Sequence, residues 1–151
     1  MRLTIKILLF QLVLFLLATG PIEAQPVWVT GTPVVNSTGP VTIDLGYGLD
    51  RTGTVYVIVY NYNNTNDLTS SYVRYLARIG TSGNLVETAV MEVKRADVGQ
   101  VRRIVLEVRD PDQIHTIFVV AADSRGRLQQ YPVRLNATTL PCPGVNPGIG
   151  G

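Results

Sequence analysis

The chain holds one histidine, His115, and one cysteine, Cys142, so a mechanism built on either side chain has a single place to start. A Ser-His-Asp or Cys-His catalyst needs a nucleophile within hydrogen-bond reach of the imidazole and a third group to orient it. Cys142 lies in "LPCPGVNPGIGG", a Pro/Gly-rich tail, and no serine occupies a G-x-S-x-G turn. One thiol cannot close an internal disulfide, so Cys142 reads as an unpaired tail thiol. Asp110 and Asp112 in "RDPDQ", with Asp123 across the following strand, place three carboxylates near one end. Calcium takes oxygen ligands of that kind, but no complete ligand loop is present, and the arrangement reads as turn chemistry. A glycosidase would need two carboxylates flanking a cleft, and no such pair separates from surface charge. The expectation is therefore no catalytic residue, no metal and no cofactor.

Binding chemistry is better represented. Tyr56, Tyr60 and Tyr62 alternate along one apolar run, opposite Val55, Val57 and Val59. If the valines face a core, the tyrosines line the other face of the sheet. There they either stack on sugar rings or a partner domain, or pack beneath neighbouring elements with their hydroxyls at the edge. These three form the candidate binding face. Asn36, Asn63 and Asn136 each begin an N-x-Ser/Thr sequon, an acceptor for glycosylation in a eukaryotic secretory pathway and a chance match in a chain rich in Asn and Thr.

The elements that position these residues follow a signal-like start. "MRLTIK" is cationic, "ILLFQLVLFLLATG" is apolar, and Ala24 ends "PIEA" as a small residue at a cleavage point, with Ile22 two positions before it. The apolar run is shorter than the about 20 residues a membrane span needs. Residues 1–24 therefore read as a secretory signal peptide, residues 25–139 as one domain, and residues 140–151 as a Pro/Gly-rich tail or linker. Cleavage after Ala24 leaves 11 basic and 10 acidic residues, a net charge of +1. Such a balance offers no single-sign field for nucleic acid, and no membrane span remains.

Within the domain, period-two alternation dominates. "PVWVTG" (Pro26 to Gly31) and "PVTIDLG" (Pro40 to Gly46) read as the first two strands, and "GTVYVIVYNY" (Gly53 to Tyr62) as a central one. "TSSYVRYLARIG" (Thr69 to Gly80) reads as one or two helical turns, with Ser70 or Ser71 as the cap and Val73, Leu76 and Ala77 on one face. "NLVETAVMEVK" (Asn84 to Lys94) and "VRRIVLEVR" (Val101 to Arg109) each have a dry face and a wet face. Their Glu, Lys and Arg residues read as cross-strand pairs. "HTIFVVAADSRGRLQQYPVRL" supplies a closing hairpin, with Gly126 in the turn at positive φ and Pro132 placing the last strand at a sheet edge or bulge. The total is about seven strands in an all-β, antiparallel two-sheet β-sandwich with one short helix.

"HTIFVVAADSRG" resembles the sixth strand and following turn of fibronectin type III domains, with Ile117, Val119 and Ala121 at the inward positions and Gly126 in the turn. "GTVYVIVY" is similar to the third strand of that family. "DSRGRLQ" (Asp123 to Gln129) resembles a turn that recurs in bacterial secreted and surface proteins carrying fibronectin type III-like or immunoglobulin-like modules. The chain departs from the pattern at His115, where the family usually has Tyr, and in carrying Trp28 on the first expected strand rather than a tryptophan on the second. The resemblance implies that His115 hydrogen-bonds backbone at a strand corner. It also implies a secreted or cell-surface module acting in adhesion, ligand binding or spacing, with a protein or polysaccharide partner at the cell exterior. The alternative function is a small carbohydrate-binding accessory protein.

Overall fold

The structure, a computed structural model, describes residues 24–144. The expected signal segment before Ala24 and the tail beyond Gly144 lie outside the described residues. Among the described residues, seven strands form two antiparallel sheets. One sheet has the order β1 (Val34–Thr38), β2 (Thr42–Tyr47), β5 (Arg102–Glu107). The other has the order β4 (Leu85–Val93), β3 (Gly53–Tyr60), β6 (Ile114–Asp123), β7 (Val133–Thr138).

The alternation in the sequence builds two cores on the two faces of the four-stranded sheet. Val55, Val57 and Val59 of β3, with Ile117, Val119 and Ala121 of β6, point inward against Ile43, Leu45 and Leu106 of the smaller sheet. Each fully buried Val, Leu or Ile contributes about 1.5–3 kcal/mol, so this layer carries most of the stability in a domain with no disulfide. On the opposite face, Tyr56 and Ile58 of β3 and Phe118, Val120 and Ala122 of β6 pack under helix α1 (Ser70–Ile79) through its Val73, Leu76 and Ala77. This second layer explains why β3 and β6 are apolar on both faces, as central strands covered twice must be.

Helix α1 is longer than the expected one or two turns, at 10 residues. Its cap is Thr69, not Ser70 or Ser71: Thr69 Oγ1 accepts from the Tyr72 amide at 3.3 Å. Gly80 ends it at φ 91°, donating its N–H to the Leu76 carbonyl at 3.3 Å. Arg78 in the last turn suits the negative end of the helix dipole.

Two further expectations are corrected. Pro26–Gly31 is not a strand: only Trp28 bridges Leu49, and the chain then turns through Gly31, with the Thr32 amide bonded to the Val29 carbonyl at 2.9 Å. The first strand is Val34–Thr38, whose Asn-Ser-Thr end has the composition of a loop yet pairs with β2. The Asn84–Lys94 and Val101–Arg109 segments form strands with the expected dry faces, but they do not pair with each other. The link through the 3-10 turn Arg95–Asp97 carries the chain from one sheet to the other. The charged partner of Arg103 is accordingly Asp44 on β2, and Arg102 pairs with Asp97 at 3.2 Å. Arg103, with a hydrogen bond from Asn36, holds the Asp44 carboxyl below the usual carboxylate range.

β7 is an edge strand and Pro132 stands just before it, where a missing N–H costs no ladder bond. Gly126 has φ 81°. The turn around it is fixed by Asp123, whose Oδ1 accepts from the amides of Arg125 (3.0 Å) and Arg127 (2.9 Å) and whose Oδ2 pairs with Arg127 at 2.7 Å. Burial alone would raise this carboxyl. The bonds from Arg127 and Arg125 outweigh burial and hold it below its ordinary value.

Candidate functional site

The three tyrosines of the expected face separate once the helix is in place. Tyr56 is buried under α1, with its hydroxyl accepting from Arg78 Nη2 at 2.9 Å. Tyr60 is half-buried and stands edge-on to Phe118, with ring centres 6.3 Å apart. Tyr62 lies just beyond the end of β3, exposed, and edge-on to Tyr60 at 5.5 Å. A continuous exposed stripe of Tyr56, Tyr60 and Tyr62 therefore does not form.

What forms instead is a cluster at the junction of β3 and the helix. Tyr72 and Tyr75, three residues apart on the exposed side of α1, lie nearly parallel (19°) with centres 6.4 Å apart. They are 47% and 56% exposed, against 3% for Tyr56, so the accessible aromatic area has moved from the strand to the helix. Tyr60 connects the two groups. Burial, then the neighbouring Tyr72 and Tyr62, push its phenol above its ordinary value. Ile79, 57% exposed, extends the helical side of the patch. Tyr72 and Tyr75 carried a signal in the sequence: both fall off the Val73, Leu76, Ala77 face of any helix drawn through this segment.

The loop that leads from Tyr60 into the helix is pinned by one buried hydroxyl. Thr116 Oγ1 on β6 accepts from the Asn64 amide at 2.8 Å, and it lies 3.0 Å from the Tyr62 carbonyl and 3.1 Å from Asn136 Oδ1 as acceptors for its proton. Asn64 Oδ1 in turn accepts from the Asn66 amide at 3.0 Å. The position of Tyr62 is thus set by the core strand beneath it.

The remaining sequence candidates are dispersed. His115 is fully buried at the start of β6. Its Nδ1 lies 3.0 Å from the Gln113 carbonyl and so carries the proton, while Nε2 has no hydrogen-bond partner among the described residues. Burial pushes its pKa below the ordinary value, opposed by the Gln113 carbonyl and by Asp110. Asp110 and Asp112 lie in the loop before β6, whereas Asp123 ends that 10-residue strand, about 30 Å away at the usual rise per residue. The three carboxylates do not share one end. Asp110 instead supports its loop, accepting from Asn61 Nδ2 at 3.4 Å, while its carbonyl accepts from Thr139 Oγ1 at 2.6 Å. A groove of about 590 Å³ beside this loop is lined by Glu87, Glu107 and Asp110, with Glu87 Oε1 accepting from the Thr88 amide at 2.7 Å. Cys142 is exposed. Asn36, Asn63 and Asn136 are all exposed, Asn36 while donating to Asp44 at 3.0 Å.

No protein family and no curated protein matches the chain. A solved structure titled "Structure of PhoD" is similar to it, with a TM-score of 0.50 and 11% identity over 74% of this chain. The chain spans 19% of the length of that protein, and at this identity the likeness shows the fold alone.

Proposed function

We propose that the protein is a secreted, non-catalytic β-sandwich module of fibronectin type III-like type that binds a partner at the cell exterior through the cluster of Tyr62, Tyr72 and Tyr75. The observation that carries this reading is the exposure of three tyrosines around the half-buried Tyr60, on a rigid helix and a pinned loop. Tyrosines supply large, stiff contact area with a hydrogen-bonding tip, at little cost in side-chain entropy. A non-catalytic role is supported by the placement of the one imidazole, which is sealed in the core with Nε2 away from the surface. The likeness to 19% of a longer chain agrees with a fold that serves as one module among others. Secretion rests on the signal-like start of the sequence, and the intact mass of exported protein, beginning at Gln25, tests it.

The near-parallel Tyr72 and Tyr75 rings favour a sugar over a protein as ligand, because two offset, similarly tilted rings present a platform on which pyranose faces can lie. Retention on a panel of insoluble polysaccharides decides between the readings. Loss of retention in Tyr62→Ser and Tyr75→Ser, with unchanged thermal midpoints, supports the carbohydrate-binding form. A wild type that passes every polysaccharide unretained removes that form and leaves a protein-binding or spacing module.

A further inference from the structure

Helix α1 has two flanks. Tyr72, Tyr75 and Ile79 occupy one, and Arg74 and Arg78 the other. Arg74 Nη1 donates to the Gly126 carbonyl at 3.3 Å, which turns this second flank toward the Asp123–Gly126 turn. Between the flank, the end of β4 and that turn lies a cleft of about 530 Å³. Its cations are Arg78, Lys94 and Arg95. Arg78 donates to the Tyr56 hydroxyl and lies over its ring, 5.3 Å from the centre. Among the described residues, none of the three has a carboxylate within ion-pair distance. Asp123 reaches the cleft, but its carboxylate is committed to Arg127 and to two backbone amides. Glu92 is then the one lining acid that opposes three cations. The near-zero net charge of the chain conceals this local excess.

We propose that the cleft binds an acidic sugar unit, its sulfate or carboxylate held by Arg78, Lys94 and Arg95. Arg78 is oriented before any ligand arrives, because the Tyr56 hydroxyl and ring fix its plane, and a fixed guanidinium suits an oxyanion. The volume is that of a site for a ring-sized ligand rather than a lone ion. Thr52, Thr54 and Ser124 line the same walls and supply hydroxyls to a sugar's own hydroxyl groups. The one aromatic ring in the wall is Tyr56, which is buried with Arg78 over it, so the cleft offers no open aromatic face. This site is separate from the tyrosine cluster and stands or falls independently of it.

The test uses the full chain on three matrices: dextran sulfate, polygalacturonate and neutral dextran. The wild type should be retained on at least one acidic matrix and not on neutral dextran. Raising salt from about 0.05 to about 0.5 M should weaken retention. Lys94→Gln/Arg95→Gln, at two exposed positions, should weaken binding roughly tenfold while leaving the thermal midpoint unchanged. Arg109→Gln/Arg134→Gln removes the same charge outside the cleft and should leave binding within about twofold of wild type. Equal losses in the two double variants would mean a net-charge effect and overturn the proposal. So would absence of retention on both acidic matrices at low salt. Competition by inorganic sulfate as effective as that of dextran sulfate, counted per sulfate group, would reduce the site to an ion and overturn the sugar assignment.

Discussion

Arg78 Nη2 donates to the Tyr56 hydroxyl at 2.9 Å, and the same guanidinium sits 5.3 Å above the Tyr56 ring. The contact closes the end of the second core, where the helix meets β3, and it turns an apparent surface tyrosine into a buried structural one. Tyr56→Ser should therefore cost about 3–5 kcal/mol, the loss expected on emptying a buried aromatic site. Tyr56→Phe keeps the ring and removes only the hydrogen bond, for about 1 kcal/mol. Urea unfolding measures both. Equal small losses would place Tyr56 outside the core.

Two glycines are required for different reasons, and substitution separates them. At Gly126, φ is 81° and a Cβ meets no atom within 4 Å, so Gly126→Ala should cost only the left-handed strain of about 1 kcal/mol, and Gly126→Asn less. At Gly53, which pairs with Asp123 at one end of the β3–β6 ladder, a Cβ would lie 2.1 Å from the Ala122 carbonyl oxygen. Gly53→Ala must push the strands apart, for about 1–3 kcal/mol or more. Thermal midpoints in the reverse order would mean that one of the two backbone environments is misplaced.

The strands with clean alternation were legible from that pattern, since Val55, Val57, Val59, Ile117 and Val119 fall on one face of their strands and line the core. Pro132 left two choices for the last strand, a sheet edge or a bulge, and it stands just outside β7 at the edge of its sheet. The layer above the four-stranded sheet was not legible. Tyr56 and Ile58 read equally as an exposed face or a covered one, and only the length of the Thr69-capped helix decides between them. The pairing of Arg103 with Asp44 was hidden for a similar reason: alternation gives the face of each strand but not its neighbour, and residues 95–101 cross between sheets where cross-strand pairs between the two flanking strands were expected. The tyrosine cluster joins Tyr62 to Tyr72 and Tyr75 across that same helix, so half of it was beyond any reading of one strand.

His115 makes stability depend on pH in a window above that of the carboxylates. Burial lowers its folded pKa, so between that value and the unfolded value of about 6.5 the unfolded chain binds the extra proton. The stabilising effect of the neutral ring is complete above about pH 6.5 and is lost as pH falls. The wild-type thermal midpoint should drop between about pH 7 and 5, before Asp44 and Asp123 protonate. His115→Leu should flatten that segment of the curve, at the cost of the Gln113 hydrogen bond. An unchanged slope would locate the titrating group elsewhere.

Thr116 connects core to surface, and its removal should affect both. Thr116→Val preserves shape but deletes the oxygen that accepts from Asn64 N and that reaches the Tyr62 carbonyl. The Asn64 amide is then left without its partner in a buried setting, for about 1–3 kcal/mol. With that tie gone, the segment carrying Tyr62 loses its fixed distance from β6, and Tyr62 no longer holds its edge-on position against Tyr60. Ligand retention should fall even at temperatures where the variant is fully folded. Thr139→Val provides the comparison. Thr139 is equally buried and its hydroxyl also ties down a loop, donating to the Asp110 carbonyl at 2.6 Å and accepting from the Gln113 amide at 3.1 Å. That loop carries none of the clustered tyrosines, so Thr139→Val should lose similar stability and keep its ligand. If both variants retain ligand equally, the loop geometry around Tyr62 does not govern binding. If both lose it equally, binding follows global stability, and the tyrosine cluster is not the contact surface.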